Sequence, residues 1–527
     1  MPDPAHHAPL RLDGTGLTID AVQRYVASWH GGAPQPVELT PTAWDQVDAA
    51  AEHVARLVAS GEPVYGVTTG VGDLATERIA AEQSAAMQRN ILLSHASAWG
   101  APFSADAVRA AMLVRLNTWA LGHSGPQRAT VQLYLELLSR GVVPVVYEKG
   151  SLGASGDLAP LAMLSLPLIG EGEAWWQGER LPGRAALAQA GLAPVALTYK
   201  EALALINGTT LMAGEGALLL HATRQLYRQA LAAYALCVEA LCGKTEAFHF
   251  LAQQVRRHPG QVQVAGELRR LLRGSTFVDR DDGKVQDGYS LRCIPQIAGP
   301  SFETLANAER TLEIELNSAS DNPLLFQELE LKDSCIGAGN FHGQSLAMAF
   351  DFLAVATAEI ASLAERQTNR LMNAHLSGLP PFLALPAGLN SGLMVAHYAQ
   401  AALVSECRTL CHPAVVDNIP TSADQEDHVN MGPVALRKYR TILANAQGVV
   451  AVLLLCAAQA VDLRSGTAAP AVSFPTGEAP APLRLGVGTQ AAYDAVRAAV
   501  PFMDGDRVLY PELEQLTALV RQAAFAP

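Results

Sequence analysis

Three stretches in the second half of the chain, residues 345–372, 390–412 and 433–463, carry apolar side chains at helical spacing, and they decide which fold classes are open to it. In the first, Leu346, Phe350, Leu353, Ile360, Leu363 and Leu371 recur near the period of one helix face. The second opens on Asn390 and Ser391, which read as N-cap residues, and stops before Pro413, whose ring disfavours helix in the residue ahead of it. The third holds an apolar run that begins at Val449 and breaks at Gln459, too short to span a bilayer, so it predicts a buried helix. Small residues dominate all three, which suits close helix–helix approach. Alternating Val, Ile and Thr strands are few. The expected fold is mainly α, a long-helix bundle with a loop-rich N-terminal region.

Residues 1–10 read as a frayed arm, and Gly31-Gly32-Ala33-Pro34 as a turn after a first helical segment. From 42 to 225, alanine- and leucine-rich segments alternate with glycine-rich loops, and from 226 the helical signal lengthens. The division expected is therefore 1–225 and 226–527. Residues 465–482, rich in Ala and Pro, read as a flexible connection to a last helical segment over 489–524. There is no internal repeat. Gly243-Lys244-Thr245 ends like a phosphate-binding loop, but Val238 stands where that motif needs its first glycine.

Composition narrows the function classes. The 527 residues suffice for a large core, and hydrophobic residues at 50% against charged residues at 17% predict surface covered by partner subunits. A net charge of −13 without a basic run argues against nucleic acid and anionic membrane as partners. Seven cysteines, an odd number without disulfide or zinc spacing, fit a reduced cytoplasmic location and imply no metal. The N-terminus lacks the basic and apolar regions of a secretory signal.

The chemistry is carried by Ala154-Ser155-Gly156, inside Gly150-Ser151-Leu152-Gly153-Ala154-Ser155-Gly156-Asp157-Leu158-Ala159-Pro160. In a tight enough loop the amide nitrogen of Gly156 can attack the carbonyl carbon of Ala154, because glycine has no Cβ in the way. Loss of water closes a five-membered ring, and dehydration of Ser155 leaves an exocyclic methylene. The product, a 4-methylidene-imidazol-5-one, is an electrophile that no ordinary side chain supplies. On its own Ala-Ser-Gly is also a common surface turn, and the flanking blocks are what change that reading.

Those blocks are Tyr65-Gly66-Val67-Thr68-Thr69-Gly70-Val71-Gly72, Asn207-Gly208-Thr209, Val285-Gln286-Asp287-Gly288-Tyr289-Ser290-Leu291-Arg292-Cys293, Ser320-Asp321-Asn322-Pro323-Leu324, Gly339-Asn340-Phe341-His342 and Gln425-Glu426-Asp427-His428-Val429. With the Ala-Ser-Gly loop, they resemble the aromatic amino-acid ammonia-lyases in order and over nearly the whole chain, most closely the histidine-specific members. The resemblance implies fumarase/aspartase-like central helices, an electrophile made from Ala154, Ser155 and Gly156 with no external cofactor, a small amino-acid substrate, and a homotetramer with shared active sites. It makes Tyr65 the base that takes the β-proton. A free phenol has a pKa of about 10, so that role needs surroundings that favour the oxyanion. Tyr289 joins the catalytic set. Arg292 would grip the substrate carboxylate through parallel donors. Asn207 would hold the amino-acid portion or the ring precursor, Gln286 and Tyr289 would line the same pocket, and Phe341 would stack over the electrophile. Helix N-termini would stabilise electrons flowing into the ring, with residues 157–168 supplying one of them.

Ser94-His95 matches the family's ring-sensing pair, which resembles Ser-His in histidine-specific members, His-Leu in tyrosine-specific ones and Phe-Leu in phenylalanine-specific ones. An imidazole can exchange a hydrogen bond with another imidazole, and Glu426 adds an acceptor that would be an unpaired charge beside a phenyl ring. The expected reaction is elimination of ammonia from L-histidine to give trans-urocanate. Four departures bear on pocket shape: Gly288 where Pro or Ala is usual, Gln344 where many relatives have Glu, Ala98 for a common Gly, and Met163 for a frequent His. The alternatives within the family are a lyase for tyrosine or phenylalanine and a 2,3-aminomutase. An inactive helical scaffold would have no use for Tyr65, Arg292 and the Ala-Ser-Gly loop together. The Ser-Ser-x-Met-Pro signature of the fumarate-yielding lyases is not found.

Overall fold

The computed structural model describes residues 8–72, 76–280, 284–466 and 483–525. Those residues hold 19 α-helices and nine short strands in four small sheets, so the mainly α reading is correct. The longest helices are Thr210–Ala240, Ile294–Glu315, Gln344–Met372 and Gly432–Ser465.

The chain forms two compact units, and neither is a continuous stretch. The first comprises Met1–His221, Ala308–Asp351 and Pro413–Arg437; the second comprises Ala222–Asn307, Phe352–His412 and Lys438–Pro527. The division at 225/226 is therefore corrected. Its first boundary lies close by, but the segments bearing Phe341 and Glu426 pack with the N-terminal region, because they carry the loops that close around the Ala-Ser-Gly turn.

In the second unit, long helices are cross-tied by buried hydroxyls and amides. Tyr227 Oη and Thr357 Oγ1 lie 3.0 Å apart, and Tyr234 Oη donates to the Ile360 carbonyl at 2.6 Å. Gln400 Nε2 donates to the Val449 carbonyl at 2.8 Å, and Ser301 Oγ to the Ala356 carbonyl at 2.9 Å. Every residue from 449 to 464 is buried. Alanine-rich surfaces let the helices approach closely, and each fully buried Leu or Val adds about 1.5–3 kcal/mol of burial. Two helices, Gln344–Met372 and Gly432–Ser465, are long and apolar enough to cross a membrane by length and composition, and the second contains the 449–459 run, which is a buried helix as expected. Their most apolar stretches are 67% and 78% buried inside the protein, the position of core helices.

Other local expectations also shift. Leu10 begins a strand, Leu10–Leu12, paired in parallel with Val37–Leu39, so the arm does not extend to it; residues 1–7 lie outside the described residues. Asn390 and Ser391 do not cap a helix, which starts at Met394; they clasp Asp506 instead, through Ser391 N to Oδ2 at 2.8 Å and Asp506 N to Asn390 Oδ1 at 3.0 Å. The last segment is two helices, Val487–Ala499 and Tyr510–Arg521, because Pro501 forces Val500 into an extended conformation (φ −133°). Most of the 465–482 connection lies outside the described residues.

Candidate active site

The Ala-Ser-Gly loop is a tight turn with an unusual backbone. Ser155 has φ 47° and Gly156 φ 80°, and the Gly156 N–H donates to the Gly153 carbonyl at 3.2 Å. A left-handed serine is strained, and such strain persists only where the surroundings impose it. Here they do. Gly208 N donates to the Ser155 carbonyl at 3.0 Å, and Asp157 N donates to the Gly208 carbonyl at 2.8 Å. Ser151 Oγ donates to the Gly156 carbonyl at 2.8 Å. A Cβ on Gly156 would stand 2.2 Å from the Gly208 carbonyl oxygen, so only glycine fits. Ring closure between Ala154 and Gly156 asks for a compact turn with an unhindered glycine nitrogen, and the residues present meet that requirement.

Asn430 anchors the turn from the far side. Its Nδ2 donates to the Gly153 carbonyl at 2.9 Å, and Met431 N donates to the Leu152 carbonyl at 2.9 Å. The same segment carries Glu426, whose backbone pairs with Thr421 and whose carboxylate accepts from Thr421 Oγ1 at 3.1 Å. The loop also approaches Tyr65: a Cβ built on Gly72 would lie 3.4 Å from Ser422 Oγ, and Gly72 N donates to Tyr65 Oη at 3.1 Å. Phe341 reaches the turn through its backbone, its carbonyl oxygen lying 3.0 Å from a Cβ position on Gly156.

Helix starts gather around the turn. Leu158–Ser165 begins one residue after it, with a 3₁₀ turn, Leu166–Ile169, completing the expected 157–168 segment. Asp157 does not cap its own helix. Its Oδ2 accepts from Leu211 N at 2.8 Å and Met212 N at 2.9 Å, in the first turn of Thr210–Ala240. Burial pushes this carboxyl up to about 7, against the pull of those two N–H groups and of Arg115. Arg115, fully buried on Ala105–Trp119, donates to the Asn207 carbonyl at 2.7 Å. Asn207 Nδ2 in turn donates to the Asn322 carbonyl at 2.7 Å.

Ser94 and His95 end the helix Ser84–His95, which packs on Leu158–Ser165 and on Glu201–Ile206. His95 Nδ1 lies 2.8 Å from the Ile91 carbonyl and 3.0 Å from Ser94 Oγ, which leaves Nε2 for another partner. The first unit thus holds Tyr65, Ser94, His95, Ala154, Ser155, Gly156, Asn207, Phe341 and Glu426. Gln286, Tyr289 and Arg292 belong to the second unit and form their own group. There Arg292 Nη1 donates to Gln286 Oε1, and the guanidinium sits 4.8 Å from the centre of the Tyr289 ring. Tyr289 is 70% exposed, and the buried Arg292 Nε has no partner among the described residues.

The sequence pattern of the family described as aromatic amino acid lyase matches residues 17–498. The chain belongs to the aromatic amino acid lyases. It is a carbon–nitrogen lyase by that membership. Histidine ammonia-lyase of Symbiobacterium thermophilum is 48% identical over 508 residues, covering 96% of this chain and 96% of that protein. Among solved structures, histidine ammonia-lyase from Trypanosoma cruzi matches with a TM-score of 0.87 and 36% identity, over 98% of this chain and 94% of that one. Tyrosine aminomutase from Streptomyces globisporus matches with a TM-score of 0.89 and 35% identity, over 98% of each chain.

Several residues of this lyase site escaped the sequence reading. Asn430 directly follows the Gln425–Val429 block, and Ser151 and Asp157 lie inside the electrophile block, so adjacency was their signal. Arg115 had none. The departures have local explanations in two cases. A Cβ on Gly288 would come 2.5 Å from Arg370 Nη1, so the guanidinium occupies the space a larger residue would need. Ala98 sits 2.4 Å from a Cβ position on Gly150, at the foot of the loop. Gln344 opens the helix after Phe341 with its Oε1 buried and unpartnered among the described residues. Nothing in the structure explains Met163.

Proposed function

We propose that this lyase converts L-histidine to trans-urocanate and ammonia, using a 4-methylidene-imidazol-5-one formed autocatalytically from Ala154, Ser155 and Gly156. The observation that carries the reading is the strained turn at Ser155–Gly156, closed by Gly208 and open only to glycine at 156. Once formed, the ring supplies an electrophile that turns the substrate amine into a leaving group. The remaining work falls to ordinary side chains. Tyr65, its oxygen positioned by Gly72 N–H, takes the β-proton. Tyr289 assists in the proton transfers. Arg292 holds the carboxylate, with Gln286 accepting from Nη1 and fixing the guanidinium. Asn207 orients the amino-acid portion and Phe341 packs over the ring. Ser94, His95 and Glu426 receive the imidazole, which a leucine-lined site would leave without hydrogen bonds. Support for histidine over other aromatic amino acids comes from this polar set and from the 48% identical relative that bears the histidine ammonia-lyase name.

The working form is a homotetramer in the cytoplasm whose active sites are completed by more than one subunit. Apolar side chains exposed on the central helices, among them Phe352, Val355, Val395 and Tyr398, support burial against other copies. Incubation with histidine, tyrosine and phenylalanine in turn, followed by product identification, tests the reading. Urocanate from histidine is expected. Faster turnover of tyrosine or phenylalanine, or a β-amino acid as main product, overturns it; the latter would mark an aminomutase.

A further inference from the structure

A cavity of about 420 Å³ in the first unit is lined by Trp29, Trp175 and Trp176 together with Arg109 and Arg140. Three of the six tryptophans in the chain therefore face one space, and none of its lining residues belongs to the candidate active site. Trp29 lies in the last turn of the helix Ile19–His30, Arg109 lies in the first turns of Ala105–Trp119, and Arg140 ends Arg128–Arg140. Trp175 and Trp176 close the strand Glu173–Trp176, which pairs with Glu179–Pro182 across a two-residue turn, Gln177 (φ 48°) and Gly178 (φ 86°). Positive φ at both positions is the tight hairpin turn that matches strand twist, and it fixes the wall of the cavity.

We infer that this cavity is a binding site for a small planar aromatic carboxylate. Indole faces offer stacking area to a flat ring. The volume lies within the range of small-molecule sites. The charged contact is Arg109. Its guanidinium lies 4.5 Å from the centre of the Trp29 ring, its side chain is only 15% exposed, and its Nε is buried without a partner among the described residues. Its one carboxylate contact, Asp106 Oδ1 at 3.4 Å, is long, and Asp106 is shared with His30 at 2.8 Å. Burial works against the Arg109 charge more than Asp106 supports it, so an incoming carboxylate beside the guanidinium would offset that cost. Arg140 is less available, since it is held by Glu136 at 2.8 Å and by the Ala190 carbonyl at 2.7 Å. A neutral flat ring would leave Arg109 unanswered, and an aliphatic acid would leave the indoles without a stacking partner.

The test is calorimetric titration of the intact oligomer with trans-cinnamate, followed in parallel by tryptophan fluorescence. The expected result is saturable binding with quenching that survives Arg292→Ala, which disables carboxylate capture at the candidate active site. Cinnamamide, lacking the charge, and 3-cyclohexylpropionate, lacking the flat ring, should each bind at least about tenfold more weakly. Arg109→Ala and Trp176→Leu should weaken cinnamate by about tenfold or more while ammonia-lyase turnover stays intact, which also shows that both variants fold; Arg109→Lys should recover only part of the affinity. No binding up to about 10 mM, affinity indifferent to Arg109 and Trp176, or complete loss in Arg292→Ala would each overturn the inference. The inference stands apart from the substrate assignment, because binding at the tryptophan cavity and turnover of histidine are read separately.

Discussion

Ser155 carries the one hydroxyl in the loop whose loss would leave an exocyclic methylene, so its substitution separates folding from chemistry. Ser155→Ala should give a folded protein with almost no turnover, whereas the unsubstituted chain should weigh two waters less than its encoded mass. Intact-mass measurement with circular dichroism checks both; an unmodified mass with full activity contradicts the ring. At the proposed ring-sensing pair, changing Ser94 and His95 to Phe and Leu should lower histidine turnover by about ten- to a hundredfold and raise phenylalanine turnover, because the imidazole loses its hydrogen-bond partners. Glu426→Ala should damage histidine turnover more than any phenylalanine activity, as measured by kcat/KM for each substrate.

Lys200 sits ahead of the helix Glu201–Ile206 in a left-handed conformation (φ 66°), fully buried, with Nζ 3.0 Å from Asp321 Oδ2 and 2.8 Å from the Ser124 carbonyl. That helix ends at Asn207, and Asp321 precedes Asn322, whose carbonyl holds the Asn207 amide. The pair joins the two ends of one short lever. Lys200→Met should therefore destabilise by about 3–5 kcal/mol, since it strands a buried carboxylate; pairing it with Asp321→Leu should recover much of the loss in thermal unfolding. In the second unit, burial alone would raise Glu365, but hydrogen bonds from His397 and Arg366 hold it down to about 2. A carboxyl depressed in this way adds stability that is fully present above its ordinary value of about 4.5 and disappears as pH falls toward 2. Glu365→Gln should lower the unfolding temperature at neutral pH, and the gap should close as the scan is repeated at decreasing pH.

The two units differ in what they offer a substrate. The first holds the Ala154-Ser155-Gly156 turn and the Ser94-His95 pair proposed to sense the ring; the second presents Arg292 beside a Tyr289 that is 70% exposed. An exposed tyrosine stacked under a guanidinium fits a surface that completes a site on another copy of the chain. Mixed oligomers of Tyr65→Phe and Arg292→Ala subunits should then regain part of the activity that each parent lacks, measured after co-refolding or co-expression. A monomer with full activity would exclude shared sites.

The helical class and the long central helices were written in the sequence, and so was the Ala-Ser-Gly tripeptide from which the proposed electrophile would form, because helical periodicity and a contiguous tripeptide are local properties. Family resemblance supplied Tyr65, Asn207 and the other candidate site residues as names without positions. Only the tertiary structure decided that residues 308–351 and 413–437 pack with the N-terminal region, which brings the Phe341 carbonyl and the Asn430 side chain to a loop at 153–156. It also decided that Asn390 and Ser391 clasp Asp506 rather than cap a helix, and that an arginine buried at 115 holds the Asn207 carbonyl. These are contacts between residues dozens to hundreds of positions apart. No local pattern encodes them, since their partners meet only after the helices have packed.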